Sequence, residues 1–179
     1  MHPCSFIEFL GATNHDMSVD ILQNYPIPDY AHEKLMRLFR KYLVIGGMPE
    51  IVQSYAEHED LVRLEPVYQS LIASYMDDVE KYSSGTQQTS VIRHLISSSF
   101  PFACERIKFE GFGKSSYKSR DVGDGFRMLE KTMLLHLVYP VAKPRIPIVP
   151  NLRKSPKLHL VDTGLVSFSA QIQAELLIS

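Results

Sequence analysis

The stretch Tyr42-Leu43-Val44-Ile45-Gly46-Gly47-Met48-Pro49-Glu50 sets the tightest limit on how this chain can fold. Four apolar residues that end one helix run into two glycines, and a proline then fixes the first turn of the next helix. Gly46 can take the left-handed conformation that stops a helix. Pro49 suits a first helical position, where no amide hydrogen is needed. Two helices must therefore meet at a corner with almost no side chains. The upstream helix, from about Ala31, carries Leu35, Leu38, Phe39, Tyr42 and Leu43 on one stripe, and the downstream one turns Ile51, Val52 and Tyr55 inward. The same corner has a second use, because paired glycines let the backbone approach a bound base while Pro49 offers that base an apolar surface. Spacing alone does not separate the two.

Helices dominate the surroundings. Ser5-Phe6-Ile7-Glu8 has the form of a capping box. Phe6, Phe9 and Leu10 then give a short helix one apolar face, ending near Gly11. Tyr25-Pro26-Ile27-Pro28-Asp29 reads as an extended linker, since each proline biases the residue before it away from the helical region. A longer helix carries Leu61, Leu64, Tyr68, Leu71, Ile72, Tyr75 and Val79, and Pro66 either begins it afresh or kinks it. Tyr82-Ser83-Ser84-Gly85-Thr86 is the best internal boundary. Val91, Ile92, Leu95 and Ile96 mark the next helix, closely followed by Pro101. Ser119 is placed to cap a further one, with Asp121 in its first turn and Val122, Phe126, Leu129 and Met133 at helical spacing. Leu134 to Val141 turns strand-like. The three prolines between Lys143 and Pro150 restrict that stretch to a loop or an edge. Leu158-His159-Leu160-Val161 reads as a strand.

A length of 179 residues at 45% hydrophobic content can bury a core of one domain or two small ones. No window approaches the roughly 18 apolar residues of a membrane span, and the N-terminus lacks the pattern of a signal peptide. Two cysteines about a hundred residues apart suit a reduced, cytoplasmic protein. The seven histidines form no i,i+4 pair, and no Cys-x-x-Cys accompanies them, so no metal site is expected. The net charge of −1 conceals an asymmetry: residues 1–100 carry −6, residues 101–160 carry +7, and the last 19 carry −2. The basic segment suits an anionic partner, or it is a solvated surface that docks on the acidic half.

Gly111-Phe112-Gly113-Lys114-Ser115 invites comparison with a phosphate-binding loop. Such a loop needs a glycine five residues before the Gly-Lys-Ser, and Lys108 stands there. Asp77 and Asp78 point about 100° apart on a helix and read as a solvated face or as helix-end ion pairs. No Gly-x-Ser-x-Gly elbow supports a nucleophile. No catalytic residue is assigned. From Val91 to Tyr139, two apolar helices, a basic connection and a strand-like exit resemble a winged helix-turn-helix. In such a module the helix near Ser119–Leu135 would enter the major groove of DNA, with Arg120 and Arg127 on nearly one face and Lys114 and Lys118 near phosphates. Asp121 and Asp124 lie among those arginines and would repel phosphate. Winged helices also dock proteins, so DNA and a protein both stand as partners.

Three blocks together resemble one group of proteins. They are Pro3-Cys4-Ser5-Phe6-Ile7-Glu8-Phe9-Leu10, then Tyr42 to Glu50, then Lys157 to Leu165 with its Asp162-Thr163-Gly164-Leu165. Tyr75-Met76-Asp77-Asp78-Val79 also fits the group's pattern. The group is the prokaryotic AAA+-superfamily ATPases that carry a C-terminal domain of unknown function, one that looks distantly related to PD-(D/E)XK nucleases. The resemblance implies a mainly α chain: a helical lid-like bundle over 1–85, a winged helix-turn-helix over 86–142, and over 143–179 a short β-containing segment that opens a terminal domain. The group's P-loop and Walker B carboxylate would precede the first block. The chain is therefore expected to be the rear part of a larger ATPase, with no hydrolytic activity and no cofactor of its own; ATP and magnesium belong to the parent. By analogy with related nucleotide switches, Gly46, Gly47 and Pro49 are the nucleotide-lid contacts. The implied role is to relay nucleotide state to a docking or DNA-binding surface, the partner being the ATPase core, another protein or DNA. The alternatives are a stand-alone winged-helix DNA-binding regulator and a protein-interaction module.

Overall fold

Several helix ends fall where the sequence supplies caps and breakers in the computed structural model, which describes residues 2–82, 85–141 and 145–178. The described chain is mainly helical, with one small two-stranded antiparallel sheet. It divides into two compact units, 1–72 with 162–179, and 73–161.

The first unit opens with α1 (Phe6–Ala12). Its capping box is complete: Glu8 donates its amide to Ser5 Oγ at 3.4 Å, and Ser5 donates its own to the Glu8 carboxylate at 2.7 Å. A short helix α2 (Asp16–Gln23) follows, which the apolar pattern did not announce, because Ser18 is its one buried residue. Pro28 leads in extended conformation into α3 (Asp29–Ile45). Leu35 and Leu38 of the expected stripe are buried, but Leu43 is exposed, since Val44 and Ile45 take the inner face of the last turn. Pro49 opens α4 (Pro49–His58), which buries Ile51, Val52 and Tyr55. A 3-10 turn at Val62–Leu64 precedes α5 (Glu65–Tyr82), where Pro66 stands in the first turn and so begins the helix afresh; past Ile72 this helix belongs to the second unit. Two helices close the unit, α8 (Thr163–Ser169) and α9 (Gln173–Ile178), numbered after the two helices of the second unit.

In the second unit α6 (Thr86–Ser99) and α7 (Ser119–Lys131) pack against each other, α6 burying Val91, Ile92 and Leu95 and α7 burying Val122 and Phe126. Their approach is close because Gly125 faces α6; a Cβ there would stand 2.7 Å from Leu95 Cδ1. Ser119 does not cap α7. Lys118 occupies the N-cap in extended conformation and makes no side-chain cap bond. Met133 likewise lies beyond the helix end, at φ 60° and partly exposed. Strand β1 (Leu135–Val138) pairs antiparallel with β2 (Lys157–Leu160), Leu135 facing Leu160. The segment 104–107 lies along the other edge of β2: Cys104 donates to the Leu158 carbonyl (2.7 Å), and Arg106 bridges to Lys157. The spatial order is therefore 104–107, β2, β1. The expected boundary at Tyr82 to Thr86 and the proline stretch from Lys143 fall partly outside the described residues, at 83–84 and 142–144.

Candidate functional site

Three segments far apart in sequence close on the corner between α3 and α4, all within the first unit. Gly46 caps α3 at φ 84°, ψ −177°, a region that only glycine occupies readily. Its amide donates to the Tyr42 carbonyl at 2.7 Å. A Cβ on Gly46 would stand 2.8 Å from Asp162 Cγ, and one on Gly47 would fall onto the Cys4 carbonyl. Cys4 is fixed from both sides: its amide donates to the Gly47 carbonyl (2.6 Å), and the Tyr42 hydroxyl donates to its own carbonyl (2.8 Å).

Asp162 holds the corner. Its carboxylate is buried and caps α8 by accepting from the Leu165 amide at 3.0 Å, while its other oxygen accepts from the Gly47 amide at 2.6 Å. The charge thus sits between the amino ends of α4 and α8, where helix dipoles favour an anion. Burial pushes the Asp162 carboxyl above the usual carboxylate range, and the amides of Gly47, Leu165, Gly164 and Met48 pull it back. Amides rather than cations compensate this charge. Gly164 completes the clasp, because a Cβ there would lie inside the Ile45 carbonyl.

A second polar layer caps the end of α3. The Tyr68 hydroxyl, fully buried, donates to the Ile45 carbonyl (2.6 Å). Gln173 Nε2 donates to the Val44 carbonyl (3.1 Å) and to Tyr68 Oη (3.0 Å), and the Phe168 ring stacks on Tyr68 at 4.7 Å. Burial pushes the Tyr68 phenol well above its usual value, so it remains a donor. Tyr68→Phe should therefore cost about 1–3 kcal/mol, the price of one unpaired buried carbonyl, measured by urea denaturation. A loss below about 0.5 kcal/mol would mean that Gln173 satisfies both carbonyls alone.

Chemically, this arrangement suits holding helices together. Burial, with the nearby Glu8 carboxylate, holds the Cys4 thiol above its ordinary value, which disfavours the nucleophilic thiolate. Among the described residues, no three His, Cys, Asp or Glu converge on a possible metal position, and no helix is long and apolar enough to cross a membrane. The Gly111–Ser115 segment does not fit a magnesium–triphosphate group. A Cβ on Gly113 would meet Ser98 Cβ at 2.7 Å and His94 Nε2 at 2.8 Å, so the turn is closed against α6.

The residues singled out from the sequence fall in two places. Gly46 and Gly47 are buried in the clasp, and Pro49 keeps partial exposure at the start of α4. Lys114, Lys118, Arg120 and Arg127 are all exposed on the second unit. Asp124 draws Arg120 (3.9 Å) and Arg127 together, the latter through a short hydrogen bond. From the sequence Tyr68 is expected only on a helix stripe, and Gln173 has no assigned role. Asp162 carried a readable signal, because aspartate ahead of a helical Thr-Gly-Leu is a preferred N-cap.

A family model described as a domain of unknown function (DUF8612) matches residues 36–176, which takes in the corner, Tyr68, α7, Asp162 and Gln173. No curated protein and no solved structure matches the chain.

Proposed function

We propose, for a chain that belongs to the DUF8612 family, that it works without catalysing a reaction of its own. Its first unit is a lid-like helical unit and its second a winged-helix unit of an AAA+-type ATPase, and together they relay nucleotide state to a docking or DNA-binding surface. One observation carries this reading: all three blocks of the resemblance supply residues to a single buried joint, namely Cys4, the Gly46-Gly47 pair, and Asp162 with Gly164. Their shared work is to fit helix ends together, so that a lid-like unit can act as one body. Of the three nucleotide-contact candidates, Pro49 keeps surface for a base.

Support for a winged helix comes from chain order. Helix α6, segment 104–107, α7, β1, a long hairpin and β2 follow one another, with β2 between β1 and segment 104–107. A relay requires two states with different contacts. DNA binding is the second reading, favoured by charge: the first unit carries −7 and the second +6. ATP turnover by the purified chain with magnesium is expected to stay at background. Turnover that follows the chain through successive purification steps would contradict the non-catalytic role.

A further inference from the structure

From Lys131 to Val161 the chain carries six lysines and arginines and no aspartate or glutamate. Most of this stretch is the hairpin that joins β1 to β2. Two adjoining surface hollows lie along it. One, of about 420 Å3, is lined by Arg106 and Lys154 and lies beside the Arg106–Lys157 bridge. The other, of about 530 Å3, is lined by Arg145 and Arg153 and lies further out, past the Val141–Pro150 bridge. Asn151 borders both, and no carboxylate lines either. Arg106 is steadied by donating to the Ser155 carbonyl at 3.0 Å. Arg145, Arg153 and Lys154 are exposed and make no ion pair among the described residues. The arginines of α7 differ, because Asp124 lies between them and offsets one of their two charges.

We propose that the row Arg106, Lys154, Arg153 and Arg145, rather than α7, receives the phosphates of duplex DNA; this rests on the DNA-binding reading above. Cations set in a row from the sheet outward match charges repeated along a polymer, whereas a lipid surface would meet only the hairpin's outer end. Ile146 and Leu152, 96% and 70% exposed, are the kind of aliphatic side chain that wedges against a minor groove. Residues 140–157 contain no aromatic side chain, so a single strand would find no stacking platform there.

Fluorescence anisotropy of a labelled short duplex, titrated with the full chain at about 50 mM salt and upward, tests this. Arg145→Glu with Arg153→Glu should weaken binding about tenfold or more and flatten the salt dependence by about two phosphate contacts. Arg106→Ala with Lys154→Ala should act in the same direction, and Arg120→Ala with Arg127→Ala should change affinity less than about twofold. Circular dichroism checks that each variant folds. Because the four residues are split between two doubles, one failing to fold leaves the other to decide. Binding that neither hairpin double weakens, or that the α7 double abolishes, overturns the placement alone. A parent chain with no duplex affinity at low salt ends the DNA reading itself. Co-sedimentation with anionic vesicles in that case would assign the hairpin to a membrane surface and overturn the proposal too.

Discussion

Replacing Asp162 with alanine should lower stability by about 3–5 kcal/mol near neutral pH, seen as a fall in Tm of about 6–20 °C. The substitution removes both acceptor oxygens from a buried position. The amides of Gly47 and Leu165 lose their partners, each at about 1–3 kcal/mol, and the Leu165 bond is the N-cap of α8. Asp162→Asn should recover part of the loss, because its carbonyl can serve one of the two amides. The pH dependence has a definite sign. Burial raises the Asp162 pKa, so the folded chain binds this proton more tightly than the unfolded one. The group's contribution is full below the ordinary carboxylate pKa and declines as pH rises through its folded value. The stability gap between parent and Asp162→Ala should therefore narrow from acid toward neutral pH. A gap that widened instead would place the amide bonds ahead of burial.

Gly164→Ala should cost about 3 kcal/mol, at the upper end for overpacking, measured by the same denaturation. The added methyl would meet main chain, the carbonyl of Ile45 and Gly46 Cα, and no side chain there can rotate out of the way. Helix α8 would have to lift from the end of α3, carrying Asp162 off the Gly47 amide. Gly11→Ala is the matched control. Nothing lies within 4 Å of a Cβ there, so it should be neutral or gain up to about 1 kcal/mol from helix propensity. Equal effects at the two glycines would mean that Gly164 marks no close approach.

Local chemistry was legible in the sequence where neighbours along the chain are also neighbours in space. The Ser5–Glu8 capping box, the Gly46 stop and the Pro49 start each need only a few residues, and each forms. The apolar face of α6 followed in the same way from helical spacing. What links the corner to Asp162 spans 115 residues, and no periodicity reports such a distance. Helices α8 and α9 were missed because they are short, and α2 because it buries little. The arginines of α7 were visible as a face, and so was the aspartate among them. Spacings of three and four residues decide that Asp124 takes both. The glycines had two uses on paper. Their neighbours in space, Asp162, Cys4 and Ile45, explain why those positions take glycine.

Amide hydrogen exchange at Gly47 and Leu165, followed by NMR in the parent chain and in Asp162→Ala, probes the clasp at its two donors. Both amides should exchange slowly in the parent, at rates close to those of the α3 core, and at least about a hundredfold faster in the variant, as a loss near 3 kcal/mol requires. Rapid exchange at Gly47 in the parent, or protection that survives loss of the carboxylate, would contradict a joint held by Asp162.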